Sequence, residues 1–202
     1  MSVPGDPDRS VAQRRRHVAA AGHLGDETTL REAGSDIDPG IRRLGLSGLD
    51  RMACLDADTL VGAFSDADAT VRRRAAELAA GHPEVTLTPL LTDPDDRVVE
   101  MAAWAAGERG YHALDHEHLR RIGAGHADAL CREAAVAALG AVGHPDGLAT
   151  VLAAMDDIAT VRRRAVVALA PFDGPEVTAA LRGASEDRDW QVRQVAEDLL
   201  DL

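Results

Sequence analysis

The 202-residue chain has no lysine, five aromatic residues and two cysteines. Each scarcity excludes something. With so few rings, the core has to be built from Ala, Val and Leu, which suits close-packed helices better than a sheet. Cys54 and Cys131 make neither a disulfide framework nor a CxxC pair, and fit a reducing compartment. No stretch approaches the ~20 apolar residues of a membrane span, and the charged opening MSVPGDPDRSVAQRRRHVAAAG has too short an apolar run for a signal peptide. The expected location is cytoplasmic. All 22 basic residues are Arg against 34 acidic ones, a formal charge of -12 that weighs against non-specific binding to nucleic acid or anionic membranes. The missing lysine is read as coding bias.

What is present is repetition. The heptapeptide ATVRRRA occurs at 69–75 and again at 159–165. Related positions fall at Val11, Ile41, Val71, Val98, Leu130, Val161 and Val192, giving intervals of 30, 30, 27, 32, 31 and 31 residues. Taking these as anchors, small or apolar residues recur at +4, +7 and +8, one face of an α-helix. Glycines such as Gly22, Gly81, Gly107 and Gly140 are expected to end that helix. A Leu eleven residues before most anchors (Leu30, Leu60, Leu87, Leu119, Leu181) marks a shorter first helix. Between the two lies an acidic turn, with Asp6, Asp36, Asp66, Asp93, Asp156 and Asp187 five residues before their anchors and expected to cap the second helix.

A hairpin of about thirty residues cannot bury its apolar face alone and must stack on its neighbours. The first anchor has only ten residues before it. The prediction is therefore one all-α repeat domain over 1–202: an N-terminal capping helix in 1–25, then six helical hairpins in 26–202. That makes about thirteen helices in a right-handed superhelical solenoid. The stretches LTDPDDRVVEMAAWAAGERG and CREAAVAALGAVGHPDGLATVL resemble the HEAT-like repeats first named for phycobilisome lyases, over essentially residues 7–202. Such arrays serve as scaffolds, adaptors and occasional enzymes, so the resemblance is specific for fold and nearly silent on function.

The arginines divide by position. Arg42, Arg72, Arg162 and Arg193 stand at +1, where the resemblance implies pairing with a turn Asp of an adjacent repeat. Arg43, Arg73 and Arg163 at +2, with Arg74 and Arg164 at +3, are not needed for that ladder and are candidates to grip carboxylates or phosphates from the face formed by the second helices, concave in similar arrays. The bland reading is a solvated polar face.

Candidates for catalysis are thin. Enzymes similar to deoxyhypusine hydroxylase hold two irons through His-Glu pairs on repeated helices. Here CREAAVAALG places Arg132 before Glu133, and the only His-Glu dipeptide is the single His116-Glu117. His112 and His116, spaced i, i+4 within a cluster with His118 and His126, are the weak metal candidates, set against an ordinary exposed helix. Trp104 with Glu108 invites comparison with DNA-alkylation-repeat glycosylases, although AAWAAGERG is an ordinary form of the repeat. No GxSxG motif or glycine-rich phosphate loop is present. No cofactor is expected. The expectation is a non-catalytic module that binds a protein partner through Arg43, Arg73, Arg74, Arg163, Arg164 and Trp104. Nucleic-acid binding is the alternative.

Overall fold

The structure is a computed structural model that describes residues 10–201. The described residues form thirteen α-helices, joined by turns and three short 3₁₀ segments, and fall into two compact units divided after Val85. The first unit contains α1 (Val11–Leu24) and the hairpins α2 (Glu27–Ala33) with α3 (Pro39–Arg51) and α4 (Ala57–Ala63) with α5 (Ala69–Leu78). The second contains α6 (Thr88–Leu91) with α7 (Asp96–Arg109), α8 (Ala113–Gly125) with α9 (Ala129–Val142), α10 (Leu148–Ala153) with α11 (Ala159–Ala168), and α12 (Pro175–Ala184) with α13 (Trp190–Leu200). The predicted number of helices, thirteen, is present among the described residues.

Within each unit the second helices pack side by side: α1 on α3 and α3 on α5 in the first, α7 on α9, α9 on α11 and α11 on α13 in the second. First helices form the other layer. Because an inner second helix touches both neighbours and its own first helix, its buried stripe is wider than +4, +7 and +8. Ile41, Gly45, Leu46, Gly48 and Leu49 are buried in α3, and Val71, Ala75, Ala76 and Leu78 in α5, followed by Ala79 in the 3₁₀ turn that extends it. The stripe thus adds position +5. All five marker leucines of the first helices are buried, and Thr150 takes that place in α10. A fully buried Leu of this kind contributes ~2 kcal/mol.

Two anchors and several caps differ from expectation. Leu130 is 58% exposed, whereas Cys131 is fully buried, so the frame of α9 starts at Cys131. Either residue of ALCREA is apolar enough to serve, and only packing decides. Val11 is likewise 40% exposed, and the frame of α1 starts at Gln13. The glycines expected to end helices lie inside them at +9 in α1, α7 and α9, while Gly25, Gly110 and Gly143 follow the last residue with positive φ. The interior glycines serve close approach instead. A Cβ on Gly140 would lie 2.6 Å from Ala168 Cα, and one on Gly107 2.9 Å from Ala138 Cα.

The acidic turn holds two carboxylates with separate tasks. The residue three before the anchor is the N-cap, as Asp38, Asp68, Asp95, Asp128 and Asp189 accept from backbone N–H groups of the first turn. The Asp five before the anchor does not cap. Asp36, Asp66, Asp93 and Asp187 each accept from the N–H two residues on, closing the turn. Asp6 lies outside the described residues.

Candidate functional site

The turn carboxylates also receive the ladder arginines. Arg42 donates through Nε and Nη2 to the two oxygens of Asp66 at 2.7 and 2.6 Å, and Arg162 does the same to Asp187 at 2.8 and 2.8 Å. These are two-bond forks, the geometry in which guanidinium recognises carboxylate best. Two further rungs escaped the sequence reading. Arg132 forks onto Asp157 at 2.6 and 2.8 Å, and Arg14 onto Asp36 at 2.9 and 3.1 Å. Both follow from the corrected frames, which put Arg132 and Arg14 at +1. The carboxylate before α11 is Asp157, not Asp156.

The remaining nitrogen, Nη1, points back into the arginine's own turn. It donates to the carbonyl of Asp36 from Arg42 (2.8 Å), of Asp66 from Arg72 (2.9 Å), of His126 from Arg132 (2.7 Å), of Asp157 from Arg162 (2.8 Å) and of Asp187 from Arg193 (2.7 Å). One side chain therefore locks its own turn and, in the forked rungs, the next. Arg162 is buried at 5% exposure. The forks of Arg132 and Arg162, acting against burial, hold the carboxyls of Asp157 and Asp187 below the usual carboxylate range.

The +2 and +3 arginines lie elsewhere, on the outer face of the second-helix layer, and do not behave alike. Arg43 and Arg73 are exposed, and their side chains make no hydrogen bond or ion pair with another described residue. Arg74 donates to Ser47 Oγ at 2.9 Å and pairs with Glu77 at 2.7 Å. Arg163 donates to the side-chain carbonyl of Gln191, and Arg164 lies 3.3 Å from Glu133. Trp104 sits at +6 of α7 and is 44% exposed. The equivalent positions on the next two helices are Ala137 and Val167, the latter 46% exposed. Three neighbouring helices of the second unit thus offer Trp104, Ala137 and Val167 as an apolar strip bordered by Glu133, Arg163 and Arg164. In the first unit the same +6 positions are Ala19, Ser47 and Glu77.

The histidine cluster disperses. His112 is the N-cap of α8 and accepts from Asp115 N–H at 3.4 Å. His116 is buried, its ring 5.2 Å from Tyr111 and 5.3 Å from His144, with Tyr111 stacked on His144 at 4.0 Å. Its Nε2 has no hydrogen-bond partner among the described residues, and burial, with His144 and Arg120 nearby, lowers its pKa and so favours the neutral ring. Tyr111, His116, Glu117, Arg120, Arg121 and Asp146 line an open groove of 450 Å³. His118 donates to the Leu114 carbonyl at 2.9 Å. Asp115, also buried, accepts from Arg109 at 2.5 Å and from Leu87 N–H at 3.1 Å, tying α8 to α6 and to the end of α7.

Residues 117–201 match the family model of HEAT repeats. The HEAT-repeat match takes in most of α8 and all of α9 to α13, the segment with the forks of Arg132 and Arg162. No curated protein matches the chain. Among solved structures, human deoxyhypusine hydroxylase in complex with glycerol is similar at 20% identity over 98% of this chain and 92% of its own, with TM-score 0.43. An engineered protein is similar at 16% identity over 98% and 93%, with TM-score 0.45, and a designed armadillo repeat protein at 14% identity over 99% and 99%, with TM-score 0.48. Among the described residues, no helix is long and apolar enough to cross a membrane.

Proposed function

We propose that the protein is a non-catalytic, cytoplasmic binding module whose second-helix face receives another protein. The observation that carries this reading is the strip of the exposed Trp104 and Val167 with the half-buried Ala137 between them in helix order, on three adjacent helices. Aromatic anchors beside charged groups are the usual composition of the energetic centre of protein interfaces, and repeat arrays present such surfaces on stacked equivalent helices. Arg163 and Arg164 border the strip, and complementary carboxylates on the partner would aid encounter and register more than affinity. Arg43 and Arg73 give the first unit a separate cationic surface. The likeness to the phycobilisome-lyase type of HEAT-like repeat enters as a class of repeat, with no residue here pointing to bilin chemistry.

The test is photo-crosslinking in the native host from residues 104 and 167, followed by nuclease treatment, with the double variant Arg73→Glu, Arg163→Glu run alongside. A discrete protein adduct from both positions, reproduced with purified partner and weakened by Trp104→Ala, supports the reading. Recovery of nucleic acid alone, with an affinity that falls steeply with salt and is lost in the double variant, replaces it with the nucleic-acid alternative.

A further inference from the structure

At one junction the repeat departs from itself at four positions, and three of the four residues converge. Position +1 is arginine in α1, α3, α5, α9, α11 and α13, but in α7 it is the buried Val99. The residue five before the anchor is Asp ahead of α3, α5, α7 and α13, but His126 ahead of α9. The anchor is Ile or Val in α3, α5, α7, α11 and α13, but Cys131 in α9. Two before the anchor stand Pro39, Ala69, Ala129, Ala159 and Trp190, but Asp96 in α7. The junction of α7 with α9 thus lacks both halves of the ion pair found at the next two junctions. In their place a carboxylate oxygen of Asp96, a ring nitrogen of His126 and Sγ of Cys131 lie within 4.8 Å of one another. His126 Nε2 is 3.9 Å from Asp96 Oδ1, and Cys131 Sγ donates to the Asp96 carbonyl at 3.2 Å.

We propose that Asp96, His126 and Cys131 bind one zinc ion, which replaces the missing rung between α7 and α9. One thiolate, one imidazole and one carboxylate form a borderline donor set that suits zinc and not the oxygen-seeking magnesium or calcium. Tetrahedral zinc holds such donors roughly 3.3–3.6 Å apart, so the site has to contract slightly. The exposed Asp96 and half-buried His126 can move, while Cys131 is fixed in the core. Three protein ligands leave a fourth position for water or for a side chain of a partner.

Binding has a proton balance that can be followed. Burial, with Asp128 and Asp96 adding to it, pushes the Cys131 thiol up to about 12, so coordination at neutral pH displaces its proton. Asp128 N–H donates to His126 Nδ1 at 3.2 Å, which places the ring proton on Nε2. Zinc on Nε2 moves that proton to Nδ1 and opens the Asp128 bond, one neutral hydrogen bond against a coordination bond.

The test uses the full chain, stripped with chelator and titrated with Zn(II), and in parallel with Co(II) as a spectroscopic stand-in. The expected result is one zinc per chain with micromolar or tighter affinity, a thiolate-to-cobalt charge-transfer band, a raised Tm and a shifted Asp128 amide resonance. Cys131→Val, which installs the aliphatic anchor of other repeats, should remove the band and the Tm shift. Should that variant fail to fold, His126→Asn keeps an acceptor for Asp128 N–H and should weaken zinc at least tenfold. A wild type without the cobalt band, or a band that persists in Cys131→Val and so arises at Cys54, overturns the proposal. So does undiminished zinc affinity in His126→Asn.

Discussion

Arg162 with Asp187 and Val99 with His126 occupy the same two places in different repeats, +1 of one second helix and five before the anchor of the next, and only the first pair is joined by a guanidinium fork. The helices around them follow the same plan, with second helices packed side by side at both junctions. The ladder is therefore one of several devices that hold neighbouring repeats together, and the junction of α7 with α9 does without it. Close packing alone does not decide which junction has a rung, since a Cβ on Gly107 would sit 2.9 Å from Ala138 Cα between α7 and α9, and one on Gly140 2.6 Å from Ala168 Cα between α9 and α11, where the fork is present. A departure from the repeat at a fixed structural position is then informative in a way that a single unusual residue is not.

The sharpest way to break the comparison is to remove the arginine from a rung and the valine from its counterpart. Arg162→Ala leaves the Asp187 carboxylate without its guanidinium and the Asp157 carbonyl without its donor, and is expected to cost about 3 kcal/mol. Val99→Ala, at the same position, removes only methyl groups and should cost about 1 kcal/mol. Denaturant unfolding of both measures the difference, and equal losses would mean that the fork contributes nothing beyond packing.

Glycine offers a second contrast, smaller and of opposite sign at two sites. Alanine is the better helix former by ~1 kcal/mol. Gly183→Ala in α12 meets nothing within 4 Å and should raise stability by about 0.5 kcal/mol. Gly140→Ala places a methyl 2.6 Å from Ala168 Cα and should lower stability by about 2 kcal/mol. Thermal melts of the pair decide it.

Acid separates the rungs from the apolar core. Asp157 and Asp187 have folded-state pKa values depressed below the ordinary 3.8. A depressed value contributes its stability in full above the unfolded-state pKa, about 3.9, and loses it as pH falls through the folded value. Stability should hold level from pH 7 to about pH 5 on this account and fall below about pH 4. Arg162→Ala should flatten that fall, read from urea midpoints at pH 6 and pH 3. The smallest effect is expected on the outer face, where Arg73→Glu, touching no described partner, should change stability by less than about 0.5 kcal/mol.

The helix count and the marker leucines were legible because thirty-residue periodicity and apolar spacing are properties of composition along the chain. The ladder was legible at Arg42 and Arg162 and not at Arg14 or Arg132. Adjacent apolar residues at Leu130 and Cys131 left the frame ambiguous by one, and that slip moved Arg132 from +1 to +2 and hid the place of His126. The interior glycines read as helix ends because the same residue serves both close approach and positive φ, and sequence does not say which. Trp104 was singled out and is exposed, whereas the strip it forms with Val167 depends on which helices become neighbours. Asp96, His126 and Cys131 are separated by 30 and 5 residues, a spacing that matches no local metal motif and acquires meaning only when α7 and α9 stand side by side.

The most direct measurement of the central claim, that repeat junctions share fixed positions for the ladder, is a double-mutant cycle installing the rung where it is absent. Val99→Arg alone buries an unpaired cation and should cost about 3 kcal/mol, and His126→Asp alone should cost less than about 1 kcal/mol. Together they rebuild the Arg–Asp fork, and the account predicts a favourable coupling of about 2 kcal/mol in urea unfolding. Strict additivity of the two losses would contradict it.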